Sequence, residues 1–280
     1  MRLSLDVRSR AKELGWTFAF LAILAVLLFP AILLSAGASR PVSVWEQAGL
    51  IALATVVIQL LRRQPILEVT GRPGVAWLRN FAAGIGLGGA LMLAPALFLW
   101  LSGWVTFQAG ESASADVLNA VALMAGVALA EELLFRGVLF QRLIDAFGFW
   151  PAQLTIAALF ALTHLGNPGM VGTTKLWAGT NIFLASVLLG LAYRSTRSLA
   201  MPIGLHFMAN TMQGVILGFG VSGTHEARVL EPRMLASEEW LTGGTFGLEA
   251  SLPGLVALVV LILALLNLRS DAHRMARPFR

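Results

Sequence analysis

Six polar side chains in this 280-residue sequence lie within otherwise apolar stretches, in a pattern that suggests hydrolytic chemistry. They are Glu131, Glu132, Arg136, His164, His206 and Asn210. Ionisable residues within apolar, membrane-length segments are costly, so they face the protein interior and are functional by default. A carboxylate base, histidines and an amide donor are the groups needed to activate water and to stabilise the negative charge that develops during hydrolysis.

The first motif, Ala-Glu-Glu-Leu-Leu-Phe-Arg-Gly, separates the roles of its two carboxylates. Adjacent residues point about 100° apart on a helix, so Glu131 and Glu132 are not expected to do the same job. Glu132 and Arg136 are four residues apart, with the glutamate on the N-terminal side, which favours an ion pair. We therefore predict a structural Glu132–Arg136 pair and a free Glu131 that acts as the base.

The histidines occupy two further apolar stretches. Phe-Ala-Leu-Thr-His164 closes one stretch, and Pro-Ile-Gly-Leu-His206-Phe-Met-Ala-Asn210 places His206 and Asn210 on one helix face. Pro202 is expected in the first turn of that helix, where its missing N–H has no cost. Glu131 is expected near mid-membrane, His206 nearer the inside and His164 nearer the outside. Convergence of the three therefore requires a tilted helix or a different start for the His164 helix.

The elements that position these residues are predicted to be membrane helices. Hydrophobic residues make up 57% of the chain and charged residues only 12%, against about 25% charged in a soluble domain. Most of the tryptophans lie close to segment ends, as in an aromatic belt. We predict an all-α, polytopic membrane protein. Its eight apolar segments lie near 17–36, 46–61, 78–101, 116–144, 150–166, 176–193, 199–219 and 252–268.

Charge asymmetry predicts the orientation. With eight crossings and both termini in the cytoplasm, 15 of the 20 Lys and Arg residues lie on the cytoplasmic side, as the positive-inside rule requires. The outside receives Arg40, Lys175, Arg228 and Arg233. The first apolar run is too long for a typical signal peptide, so we expect it to be retained despite Ala-Gly-Ala at 36–38.

Three regions follow from this map: 1–115 with the first three helices, 116–219 with the four motif helices, and 220–280 with an outer loop and the last helix. The sequence does not decide whether the 220–251 loop is an ordered cap or a flexible lid. The glycine cluster Gly84, Gly86, Gly88 and Gly89 lies inside an apolar segment with no strand before it. It is therefore interpreted as close helix packing, not as a nucleotide-binding loop.

Other protease sites are excluded by the sequence. It contains no His-Glu-x-x-His, no Gly-x-Ser-x-Gly and no cysteine, and the predicted segments contain no paired aspartates. A purely structural ion pair or a packing histidine explains each motif singly. The combination of all three motifs on separate helices is harder to explain in that way.

The three motifs, in this order on separate apolar helices, resemble the CPBP family, which includes the CAAX prenyl proteases and bacteriocin-processing enzymes. The resemblance covers about 100 residues and implies an intramembrane endopeptidase. By that resemblance Glu131 activates water with help from His164, while His206 and Asn210 stabilise the oxyanion. The family has been described as both metal-dependent and glutamate-dependent. Zinc held by Glu131, His164 and His206 therefore stays open beside a metal-free site, which the amide of Asn210 favours.

The expected partners are the lipid bilayer and a membrane-associated or lipidated peptide or protein, with no nucleic acid. The expected location is the inner membrane of a prokaryote. Two other functions stay open at this point. One is a non-catalytic scaffold or immunity factor on the same fold. The other is a proton-coupled transporter, which the lack of inverted-repeat symmetry in the motifs disfavours.

Overall fold

The computed structural model describes residues 7–236 and 238–275, which are mostly helical. Its longer helices are α1 (Val7–Gly37), α2 (Val44–Arg62), α4 (Val75–Leu101), α5 (Ser114–Arg136), α6 (Val138–Phe147), α7 (Phe149–Thr163), α8 (Gly172–Thr196), α9 (Ala200–Asn210) and α11 (Leu252–Met275). Short α3 (Leu67–Thr70) and α10 (Glu239–Thr242) lie in connections, and a π-helical segment, Thr211–Ile216, extends α9. The predicted all-α class is confirmed.

Each predicted apolar segment contains a helix, and five helical stretches are long and apolar enough on their own to cross a membrane. These are Val7–Gly37, Val44–Arg62, Val75–Leu101, Ser114–Phe147 and Gly172–Thr196. Large apolar side chains such as Phe18, Leu34 and Leu101 are exposed on them, as expected for surfaces that face lipid. The membrane location is thereby supported, while eight crossings and the orientation stay predictions. Among the predicted cytoplasmic cations, Arg2, Arg277 and Arg280 lie outside the described residues.

Helices α4 and α9 approach each other closely because glycines line their contact. A Cβ on Gly88 would collide with the carbonyl oxygen of Leu205, one on Gly84 with that of Met201, and one on Gly204 with that of Phe81. The space beside Gly86 is open. The interpretation of the glycine cluster as helix packing therefore holds at Gly84 and Gly88, where the backbone of α9 lies closest.

The predicted segment 116–144 is two helices rather than one. Gly137 ends α5 and precedes α6, and a Cβ at this position would collide with the carbonyl oxygen of Leu133. Helix α6 is then tied to the N-terminal region by ion pairs. Arg142 bonds Glu13 of α1 at 2.9 Å and Glu68 of α3 at 3.2 Å. Because of the break at Gly137, one predicted segment carries both the Glu-Glu-Leu-Leu-Phe-Arg motif and this anchor.

The 220–251 loop forms a structured cap. Strand β2 (Leu230–Met234) pairs antiparallel with β1 (Val105–Ala109), with Phe107 opposite Pro232. A Cβ on Gly223 would collide with the carbonyl of Pro168, and one on Gly247 with that of Gly220. The described part of the loop is therefore packed against the connections at the ends of α4 and α7, and the strand pair is an element that the helix-based prediction missed.

Candidate active site

The two adjacent glutamates of α5 face different surroundings. Glu132 is fully buried, whereas Glu131 is partly exposed and lines a cavity of about 390 Å³. The divergence follows from their 100° separation on the helix. Glu131 is therefore accessible to a molecule in the cavity, whereas Glu132 contacts only other residues of the protein.

Glu132 and Arg136 form the predicted ion pair, 3.1 Å from Oε1 to Nη1, with both side chains fully buried. The guanidinium extends to α8, where its Nη2 donates to the hydroxyl of Ser186 at 2.8 Å and to the carbonyl at 3.3 Å. Gln153 of α7 donates to the same carbonyl at 3.0 Å. Buried charges need such partners, so the pair joins three helices behind the cavity.

Glu132 also holds His206, a contact that sequence reasoning did not predict. The distance from His206 Nδ1 to Glu132 Oε1 is 2.8 Å, and a carboxylate oxygen accepts, so Nδ1 carries the hydrogen. The opposite nitrogen, Nε2, lies 3.7 Å from Glu131 Oε2. This distance is too long for a direct hydrogen bond. The ring is thus fixed by one glutamate while Nε2 faces the other.

His164 is oriented by its own helix. It lies at the C-terminal end of α7, and its Nδ1 is 2.7 Å from the carbonyl oxygen of Phe160. A carbonyl only accepts, so Nδ1 is the donor. In the neutral ring, Nε2 then keeps its lone pair. A lone pair on His164 can accept a hydrogen bond from water in the cavity that this residue lines.

The ring of Phe160 lies near both histidines. Its ring lies 4.6 Å from the ring of His164 and 6.4 Å from that of His206, centroid to centroid. The Arg136 guanidinium lies 4.8 Å from the same aromatic ring, within cation–π range. The phenylalanine of the Phe-x-x-x-His motif thus has a structural role that the sequence left unassigned.

Asn210 ends α9 one turn beyond His206 and lines the same cavity. Pro202 lies in the first turn of this helix, as predicted. The backbone continues from Asn210 directly into the π-helical segment, a feature frequent at functional sites. Asn210 is therefore at the point where the helix geometry changes.

The cavity brings together four of the six predicted residues: Glu131, His164, His206 and Asn210. Glu132 and Arg136 lie behind its wall. Apolar side chains such as Leu91, Leu188 and Leu258 form much of the remaining surface. The predicted convergence of Glu131, His164 and His206 is thus present in the structure, with His164 just beyond the end of α7 at Thr163.

A metal site does not emerge from these residues. Across residues 7–236 and 238–275, no three His, Asp or Glu side chains are grouped as ligands of one ion. Glu132 holds His206 through Nδ1 and leaves Nε2 facing Glu131, and the sequence contains no cysteine ligand. Zinc held by Glu131, His164 and His206 stays an untested prediction, and we assign no step to a metal.

Comparison with known families identifies the motif region. Residues 113–212 match the family described as Type II CAAX prenyl endopeptidase Rce1-like. The matched segment contains all six residues singled out above and confirms the resemblance read from the motifs. No match is found among curated proteins.

Proposed function

We propose that this chain, whose residues 113–212 belong to the CAAX protease family, is an endopeptidase that hydrolyses a peptide bond within the membrane by means of a glutamate-activated water. The observation that carries the proposal is the cavity in which Glu131, His164, His206 and Asn210 meet. A general base, an assisting imidazole and two hydrogen-bond donors around one cavity are what peptide hydrolysis requires.

The first step is the attack of water. A water molecule between Glu131 and His164 Nε2 gives a proton to the Glu131 carboxylate, and its oxygen bonds to the carbonyl carbon of the peptide. The carbonyl oxygen becomes an oxyanion. Helices α5 and α7 supply the two groups that position this water, so the reaction depends on their packing as well as on the side chains.

The oxyanion is stabilised by α9. Asn210 contributes an amide N–H, and His206 contributes Nε2–H in its protonated form, since its Nδ1 hydrogen is committed to Glu132. The carboxylate of Glu132, 2.8 Å from Nδ1, stabilises the imidazolium, while Glu131 carries the proton taken from water. Glu131 then returns its proton to the leaving nitrogen. The C–N bond breaks as the oxyanion reforms the carbonyl, which yields an amine and a carboxylic acid that then loses its proton to solvent.

The substrate we propose is a membrane-associated peptide or protein. Apolar cavity walls suit aliphatic side chains, and lipidation of the substrate places its cleavage site at the bilayer. We further propose the inner membrane of a prokaryote as the location, with both termini in the cytoplasm.

The experiment that tests this function is cleavage of an internally quenched peptide library by the purified protein in liposomes, with and without a chelator. We expect cleavage at the same rate in both conditions, with empty liposomes as the control. A loss of cleavage on chelation would establish metal dependence and contradict the metal-free mechanism. The absence of any cleavage would favour a non-catalytic binding protein, or a transporter if proton flux is detected instead.

A further inference from the structure

Glu249 is a carboxylate that neither the motifs nor the mechanism uses. It lies in a single turn, Leu248–Ala250, immediately before α11. Its Oε1 accepts hydrogen bonds from the hydroxyl of Ser222 at 2.9 Å and from the Ser222 backbone N–H. Ser222 has a φ of 49°, an uncommon conformation for a residue with a side chain. Two segments of the cap thus cooperate to hold one carboxylate in place.

Glu249 belongs to the wall of the catalytic cavity. The cavity is lined by Glu249 and Ser222 together with Glu131, His164 and His206. Glu249 is partly exposed there, and the charges of both histidines act on it. The carboxylate therefore lies within electrostatic reach of the reacting groups, on a part of the chain about 40 residues beyond Asn210.

No arginine or lysine in the described part of the chain pairs with Glu249, in contrast to three carboxylates on the helices. Glu13 pairs with Arg142, Glu68 with Arg62, and Glu132 with Arg136. Among the described residues, Glu249 has no such pair, and the cavity wall contains no Lys or Arg. Its Oε2 accepts no hydrogen bond from another described residue. This oxygen is not among the fully buried ones, so it is accessible to a cation in the cavity.

The pKa of Glu249 is consistent with a carboxylate that has no arginine or lysine partner. Burial raises the pKa of Glu249, and the Ser222 hydrogen bonds and the two histidines offset only part of that effect. A cation that entered the cavity would act in the same direction as the histidines and favour the carboxylate form. An anionic group would instead meet Glu131, Glu226 and Glu249 with no arginine to bind it.

We propose that Glu249 is a specificity-determining residue, whose carboxylate receives a lysine or arginine side chain of the substrate next to the bond that is cut. The proposal rests on the endopeptidase function above and names a substrate class for it. The preferred substrate is then a peptide with a basic residue close to the cleavage site. A free C-terminal carboxylate at this position is disfavoured.

The test uses the full-length protein in liposomes and internally quenched peptides that carry lysine, norleucine or glutamate at each position flanking the cut. Norleucine keeps the aliphatic chain of lysine without its charge. At one position we expect the lysine peptide to be cleaved with a kcat/KM about tenfold above that of norleucine, the size expected of a charged hydrogen bond. The glutamate peptide should be the poorest substrate.

Glu249→Gln is the decisive variant, because the amide oxygen can still accept from Ser222 while the charge is removed. The lysine-to-norleucine ratio should fall to about one. Glu231→Gln is the matched control, since Glu231 lies in the same loop but outside the cavity wall, and it should keep the preference. Glu249→Asp retains the charge and should keep part of the preference for lysine. This variant provides a second test if the glutamine variant is unstable.

The possible failures are distinguishable. Equal cleavage of lysine and norleucine peptides by the unchanged protein, or a preference that survives in Glu249→Gln, would overturn the role of Glu249 and leave the protease intact. The absence of cleavage for every peptide would overturn the proposed function and this inference with it.

Discussion

The geometry of the site depends on Glu132, because one of its carboxylate oxygens, Oε1, accepts hydrogen bonds from both Arg136 and His206. The carboxylate thereby fixes the tautomer of a ring whose other nitrogen faces Glu131. This arrangement has the logic of a carboxylate that orients a catalytic histidine, here with an arginine that neutralises the buried charge.

Substitution of Arg136 tests whether it neutralises the buried charge of Glu132. Arg136→Ala leaves the Glu132 carboxylate buried without its main counter-charge, which should lower the free energy of unfolding by about 3–5 kcal/mol. Thermal and denaturant unfolding in detergent provide the measurement. The double variant Glu132→Gln, Arg136→Met removes both charges and should recover much of the stability while activity stays low. An Arg136→Ala protein as stable as the unchanged one would contradict this account.

Asn210 is predicted to act on the transition state. Asn210→Ala should reduce kcat by about 10²-fold or more with little change in KM, as for loss of one oxyanion donor. Asn167→Ala is the matched control, because Asn167 lines the same cavity outside the motif. An effect of Asn210→Ala that appears only in KM would assign the residue to substrate binding instead.

For individual residues, the sequence predicted only the contacts that follow from helix periodicity. The i,i+4 spacing gave the Glu132–Arg136 pair and placed His206 with Asn210. The contact between Glu132 and His206 spans 74 positions, and the bond from Arg136 to Ser186 spans 50. No periodicity relates residues that far apart, so these contacts became visible only when the helices were packed.

Among the elements, α4 and α9 form the contact most sensitive to side-chain size. Gly88→Ala places a methyl group against the carbonyl of Leu205, next to His206, and should cost about 1–3 kcal/mol through overpacking, together with a loss of activity. Gly86→Ala lies two residues away on the same helix, facing open space, and should be neutral or slightly stabilising. Comparison of the two variants by unfolding and peptide cleavage checks the interface. Equal behaviour of the pair would contradict it.

Helix α3 contributes a pH-dependent contact. Burial would raise the pKa of Glu68, but hydrogen bonds from Arg62 and Gln59 lower it below its ordinary value. A carboxylate with a lowered pKa in the folded state adds stability above its unfolded pKa, and this is lost as the pH falls through the folded value.

Glu68→Gln should therefore destabilise the protein at neutral pH, and the difference from the unchanged protein should shrink as the pH falls below about 4. Unfolding temperatures of both proteins across this range provide the check. Asp116→Asn, at an exposed carboxylate of α5, is the control. A difference that stays constant down to the lowest pH would show that the contact does not depend on charge.

The orientation of the whole molecule is open to a direct test because the chain has no cysteine. A single cysteine at Arg72 is predicted to face the cytoplasm, and one at Arg233 the outside. Both positions are exposed. A membrane-impermeant maleimide should label the Arg233→Cys protein in intact cells and the Arg72→Cys protein only after permeabilisation. The reverse pattern would invert the predicted topology.

The cap is the part of the molecule that the sequence predicted least. Hydropathy identified the helical segments, but the β1–β2 pair joins Phe107 to Pro232 across more than a hundred residues, and a proline is atypical of strands. Glu249 likewise reaches the cavity through a loop with no repeating pattern. Its role depends on the position of Ser222, which no motif signals.

The measurement that tests the central claim most directly is cleavage of the best library peptide by Glu131→Gln in liposomes, beside the unchanged protein and Asp116→Asn. Asp116 lies on the same helix as Glu131, in its first turn. We expect Glu131→Gln to lose at least about 10²-fold in kcat, the contribution of a general base, while it unfolds at the same temperature, and Asp116→Asn to retain full activity. Full cleavage by a folded Glu131→Gln protein would contradict the assignment of Glu131 as the base.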